Sequence, residues 1–102
     1  MKVILSLQAE AQLRLRQEWW QKNRPKSPEL FEQELAHALR RIADHASIFP
    51  VYSAKDGRTV RRYLLARTHC HLYFEILPER DEVWILAAWG AVRRKGPRIG
   101  PR

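Results

Sequence analysis

The stretch TVRRYLLARTHCHLYFEILPERDEVWILAAW, Thr59 to Trp89, decides the fold. Within it, His69 to Leu77 alternates. Cys70, Leu72, Phe74 and Ile76 point one way, and His69, His71, Tyr73 and Glu75 the other. Successive side chains of a strand point to opposite faces, so this pattern predicts one buried and one wetter face. Thr59 to Arg67, with Tyr63, Leu64 and Leu65, reads as the strand before it. Glu82 to Trp89 is almost wholly apolar, as a central strand would be. Turns are expected near Arg67-Thr68 and at Pro78-Glu79-Arg80-Asp81. Such short connections leave no room for crossover helices, so the three strands should form an antiparallel meander.

Working outward, Lys2 to Leu7 carries Val3, Ile4, Leu5 and Leu7 and reads as a short first strand at an edge of the meander. Ser6 suits a helix cap. Ala9, Leu13 and Trp20 then recur at near-helical spacing to about Lys22, and Asn23-Arg24-Pro25-Lys26 breaks the run. Ser27-Pro28-Glu29 predicts a second helix start: a capping Ser, a Pro in the first turn and an acid at the positive dipole end. Phe31, Leu35, Ala38, Leu39 and Ile42 keep one apolar stripe until Ile48-Phe49-Pro50 ends it. Two helices joined by about four residues are antiparallel neighbours. Ser53 to Gly57 reads as a polar turn. The expected fold is α+β in the order β-α-α-β-β-β: a helix hairpin on one face of a mainly antiparallel four-stranded sheet. It forms a single domain over 1–102, with 93–102 as a flexible basic tail.

Lys and Arg number 19 against 11 Asp and Glu, a net charge of +8. Residues 1–50 hold 8 basic and 6 acidic side chains, and residues 51–102 hold 11 and 5, so the surplus lies on the sheet half and tail. Such a field attracts phosphate backbones, acidic proteins or anionic membranes. The single Cys70 excludes an internal disulfide and fits a reducing compartment; its place on the inward face reads as structural. Met1 to Glu10 does not read as a signal peptide, and no apolar run reaches the length of a membrane span, so a cytoplasmic protein without membrane partners is expected.

His69 and His71 lie two apart, but no Cys or carboxylate stands at ligand spacing, so no metal site is expected. No Gly-rich loop precedes a helix, and no cofactor is expected. The chemistry-bearing set is Arg61, Arg62, His71, Tyr73, Arg93 and Arg94, with Lys95 beside it. Arg binds phosphate or stabilises a phosphoryl transition state, and His or Tyr moves a proton, which is enough for a metal-free ribonuclease. The alternative is ordinary edge-strand charge and packing. Adjacent Trp19 and Trp20 cannot both face one core, which leaves one at the surface. Trp19, Trp20 and Trp84 are expected to anchor a partner in an apolar groove beside the first helix and the last strand.

The element order, together with particular residues, resembles the RelE/ParE family of bacterial toxins from type II toxin–antitoxin pairs. The matching pieces are Ser6, Ala9 and Leu13 opening the first helix, and Phe31, Leu35, Leu39 and Ile42 in the second. Val60-Arg61-Arg62-Tyr63, Tyr73-Phe74 and Val83-Trp84-Ile85-Leu86 match in the strands. Trp89-Gly90-Ala91-Val92-Arg93-Arg94-Lys95-Gly96-Pro97 looks like a variant of the Trp-His-x-x-Arg ending of many such toxins. The resemblance implies a plasmid-stabilisation type of toxin neutralised by a cognate antitoxin. ParE-like members bind and poison DNA gyrase; RelE-like members cut messenger RNA on the ribosome with clustered Lys and Arg. Here no Tyr follows Arg94, Lys55 stands alone before Arg61, and Gly90 occupies the place of the His. These departures set the expectation at a ParE-like binding toxin, with Arg61, Arg62, Arg93, Arg94 and Lys95 on its target. The alternatives are a RelE-like ribonuclease using Arg61, His71, Tyr73, Arg93 or Arg94, and an inactive partner-binding remnant.

Overall fold

A computed structural model describes residues 1–102. Its elements are β1 (Lys2–Leu5), α1 (Leu7–Asn23), α2 (Leu30–His45), β2 (Val51–Lys55), β3 (Arg58–Leu65), β4 (Cys70–Leu77) and β5 (Glu82–Gly90). The fold is α+β: two helices and one mixed five-stranded sheet of order β1-β5-β4-β3-β2. β1 lies parallel to β5 at one edge, and every other pairing is antiparallel.

The expected four strands are five, because Val51–Lys55 is a strand and not part of a polar turn. Asp56 and Gly57 both adopt positive φ, 54° and 73°, between the paired Lys55 and Arg58. Positive φ at both positions is the type I′ two-residue hairpin turn, whose twist matches that of the flanking strands. The Asp-Gly signal therefore marks a hairpin, which demands a strand before it as well as after it.

Ser6 caps α1 as expected, its Oγ accepting from the Ala9 amide at 3.1 Å. The second helix starts later than Ser27-Pro28-Glu29 suggests. It begins at Leu30, its N-cap Glu29 makes no side-chain cap bond, and the Ser27 carbonyl closes only a preceding turn with the Leu30 amide at 3.2 Å. Glu34 of α2 grips the β3–β4 turn instead. Its carboxylate accepts from the Arg67 amide (2.8 Å), the Thr68 amide (2.9 Å) and the Thr68 hydroxyl (2.6 Å). From α1, Arg16 Nη2 donates to the Thr68 and His69 carbonyls at 3.2 and 3.1 Å. Both helices are thereby stitched to one turn.

The main core lies between the helices and the sheet, where Phe31, Ile42, Leu65, Cys70, Leu72, Phe74, Val83 and Ile85 are fully buried. The other face is not simply wet. Val60, Tyr73, Leu86 and Ala87 form a second buried cluster, with Trp84, Trp89 and Ile99 packed against it. A bulge in β5 creates it. Tyr73 pairs with Ala87 and Phe74 with Ile85, so Leu86 is an extra residue and both Leu86 and Ala87 turn outward. Beyond the end of β1, α1 completes the backbone bonding of β5. The Ser6 amide and hydroxyl donate to the Ile85 and Leu86 carbonyls, and Gln12 Oε1 accepts from the Ala88 amide at 2.9 Å.

Residues 91–102 form no helix or strand, yet they run across this second face as a strap where a free tail is expected. Pro97 is buried and Ile99 joins the cluster. Arg58 donates to the Gly100 carbonyl, Gln8 to the Arg98 carbonyl, and Arg102 pairs with Glu75.

Candidate functional site

The site grows from the strand register. Arg62, Tyr73 and Ala87 form one cross-strand row, and Leu64, His71 and Trp89 the next. Arg62, His71, Tyr73 and Trp89 consequently share the outer face. β2 supplies Tyr52 through a second bulge: Val51 pairs with Arg61 and Ser53 with Val60, which leaves Tyr52 as the extra residue. Bulges re-aim side chains. Here the bulge lays Tyr52 edge-on over Tyr73, ring centres 4.7 Å apart, with the Arg62 guanidinium 5.4 Å from the Tyr52 ring. His71 stands 6.0 Å from Tyr73 in the same manner.

The strap closes the far wall. A turn in which the Arg93 amide donates to the Gly90 carbonyl sends the chain back over the sheet. Trp89 Nε1 donates to the Lys95 carbonyl at 2.7 Å, and the Arg93 guanidinium lies 4.2 Å from the Trp89 ring centre. Gly96 packs against the Tyr52 hydroxyl so closely that a Cβ would collide with it. The result is a cleft of about 180 Å³ lined by Tyr52, Arg62, His71, Tyr73 and Trp89 on one side and Arg93, Arg94, Lys95 and Gly96 on the other.

No carboxylate lines this cleft. The one buried acid of the outer face, Glu75, is occupied by Arg58 (3.1 Å) and Arg102 (2.6 Å). Arg62, Arg93, Arg94 and Lys95 are in no ion pair, so their field is uncancelled and selects an anionic ligand. Burial, and then the Arg62 charge, push the His71 imidazole below its ordinary value, so it is neutral at pH 7. Burial pushes the Tyr73 hydroxyl up, and its side chain is only 2% exposed beneath Tyr52. A ligand seated in the cleft therefore meets cations and aromatic edges before it meets Tyr73.

Of the sequence-predicted set, the fold brings together Arg62, His71, Tyr73, Arg93, Arg94 and Lys95. Arg61 does not join them. One residue from Arg62 on a strand, it faces the helix side, where its Nη1 donates to the Phe49 carbonyl at 2.8 Å and ties the segment before β2 to β3. The three tryptophans do not form one groove. Trp20 is buried in the main core, and Trp19, 47% exposed, meets it edge-on at 5.7 Å with Arg24 against both rings. Trp84 lies on the opposite face of the sheet, packed on the second cluster with its Nε1 donating to Glu82. His69 sits in the β3–β4 turn at φ 55°, not on the strand beside His71. No group of three His, Cys, Asp or Glu side chains is placed to hold a metal ion. Cys70 is buried in the core, and burial raises its thiol against the opposing charge of Arg16. Tyr52, Trp89 and Gly96 also line the cleft, and no motif in the sequence marks them as site residues.

No known protein-family model matches this chain, and no curated protein matches it. No helix is long and apolar enough to cross a membrane.

Proposed function

We propose that this chain is the toxin of a type II toxin–antitoxin pair, acting in the cytoplasm in the ParE-like manner. It binds an essential target, DNA gyrase, through the cationic cleft and is neutralised by a cognate antitoxin. One observation carries the choice of binding over cleavage. Two of the side chains a ribonuclease would use are withheld: Tyr73 lines the cleft only from beneath Tyr52, and Arg61 faces the helices. What remains open to a partner is mainly a cluster of unpaired cations bordered by aromatic rings, equipment for recognition, with His71 the one proton-accepting group among them. The order strand, helix pair, antiparallel strands supports this reading, with one strand, β2, more than the resemblance implies.

A RelE-like ribonuclease is the second reading, and His71 favours it. A neutral imidazole beside Arg62 can accept a proton from a 2′-hydroxyl while the arginines hold the phosphate.

Inducible expression of the chain alone separates the two. The binding reading predicts growth arrest with DNA breaks, an SOS response and intact messages, relieved by co-expressing a small acidic antitoxin from the neighbouring reading frame. Codon-specific cleavage of translated messages would reverse the ranking. Unimpaired growth at high expression would remove both.

A further inference from the structure

The cleft's cations come from two sources of unlike rigidity. Arg62 stands on β3, held by ladder bonds, whereas Arg93, Arg94 and Lys95 stand on a segment with no helix or strand of its own. Between Gly90, the last residue of β5, and the buried Pro97 that segment is only six residues long, 91 to 96. Loose at its distal end, it is a free tail. Pinned there, it is a short closed loop with far fewer conformations. Trp89 Nε1 holds it at the Lys95 carbonyl within the cleft; the rest of its hold lies outside, where Gln8 meets the Arg98 carbonyl and Glu75 meets Arg102. Glu75, 7% exposed in its side chain, accepts from Arg58 Nη2 and Arg102 Nη1 on one oxygen, Oε1, and from Arg58 Nε on the other at 3.4 Å. Arg58 reaches on to the Gly100 carbonyl at 3.3 Å, and Ile99 packs on the second cluster.

We propose that Glu75 is a positioning residue for the cleft: by gripping Arg102, directly and through the Arg58–Gly100 bond, it holds the strap closed and so presets Arg93, Arg94 and Lys95 for an anionic partner. Glu75 itself touches no ligand. The inference rests on the reading of the cleft as the target-binding surface. Ordering three long side chains and their backbone at the moment of binding weakens affinity by roughly ten-fold or more relative to a preset loop.

The test uses the full chain and a short labelled single-stranded oligothymidine as polyanion probe, titrated at several salt concentrations, with amide hydrogen exchange read in parallel. Arg93→Ala removes a contacting charge and lowers the slope of log affinity against log salt by about one. Arg102→Gln and Glu75→Gln are expected to weaken the probe by roughly ten-fold or more at every salt concentration, with that slope unchanged. They are also expected to speed exchange of the 93–96 amides while the amides of β4 stay protected. Arg102 is part-exposed at the strap's end, so its variant keeps the core whole even if Glu75→Gln does not fold; Arg102→Lys, which keeps the charge, should recover part of the affinity. Unchanged 93–96 exchange in Arg102→Gln overturns the proposal, as does unchanged affinity in that variant while Arg93→Ala weakens the probe. If Arg93→Ala and Arg94→Ala leave probe binding intact while exchange responds to Arg102→Gln, the latch stands and the reading of the cleft falls.

Discussion

Removing the Glu34 carboxylate should cost this protein more stability than removing any other helix-surface acid. Glu34→Ala deprives three donors of their acceptor: the Arg67 amide, the Thr68 amide and the Thr68 hydroxyl. Arg67 is exposed, so water replaces the carboxylate at its amide. Thr68 is 2% exposed, and its two donors are left without a partner. A buried donor left unsatisfied costs about 1–3 kcal/mol, so the pair predicts a loss of about 3 kcal/mol. For a domain of this size that lowers the melting temperature by roughly 12–24 °C. Both Thr68 donors meet Oε1, so Glu34→Gln, which keeps one carbonyl oxygen, should lose well under half as much. Glu32→Ala, exposed on the same helix, should stay within about 0.5 kcal/mol of the parent. Urea unfolding followed by far-UV circular dichroism measures all three. A Glu34→Ala midpoint indistinguishable from that of Glu32→Ala would refute the reasoning, because the turn would then be held without the carboxylate.

Three further outcomes follow from the same contacts. Burial pushes the Glu75 carboxyl up, but the hydrogen bonds and charges of Arg58 and Arg102 outweigh it and leave it below its ordinary value of 4.5. A depressed folded-state carboxylate stabilises above its unfolded range, and that stability disappears as pH falls through the folded value; Glu75→Gln should flatten the acid limb of a stability–pH curve, and an unaltered limb would count against the ion pair. His71 should titrate by NMR below 6.5, and His71→Gln should leave growth arrest intact under the binding reading but abolish it under the ribonuclease reading. Phe74→Ala empties the centre of the main core and should cost about 3–5 kcal/mol in the same urea assay, a value near zero placing Phe74 outside it.

Much of this architecture is legible in the chain. The alternation from Cys70 to Ile76 identifies the face that meets the helices, and Ser6 marks the start of α1. β2 is harder to see, because four of the five residues of Val51–Lys55 are exposed and carry no burial pattern; only the Asp-Gly turn betrays it. The second buried face is hidden because β5 is apolar from Val83 onward, and the Leu86 bulge shifts its phase by one residue, so alternation does not assign its faces. Composition suggests that an Arg-, Gly- and Pro-rich ending is free. The strap docks because Ile99, Pro97 and two glycines able to approach Tyr52 and Gln8 fit a surface the sequence does not display. Parity would have removed Arg61 from the site. Neighbours on an unbulged strand face opposite sides, and β3 keeps regular register with β4 at Arg61 and Arg62, so the two do not line one cleft. On a helix, neighbours stand about 100° apart, which separates Trp19 from Trp20 but says nothing of Trp84, whose face is set by the sheet.

The most direct measurement is a supercoiling and DNA-cleavage assay with purified gyrase, closed circular DNA and the purified chain, beside an Arg62→Ala, Arg93→Ala, Arg94→Ala variant that melts like the parent. Loss of supercoiling with cleaved DNA accumulating for the parent, and at least a ten-fold higher concentration needed for the variant, is the predicted result. Unimpeded supercoiling by gyrase at saturating parent protein, or equal potency of the variant, would contradict it.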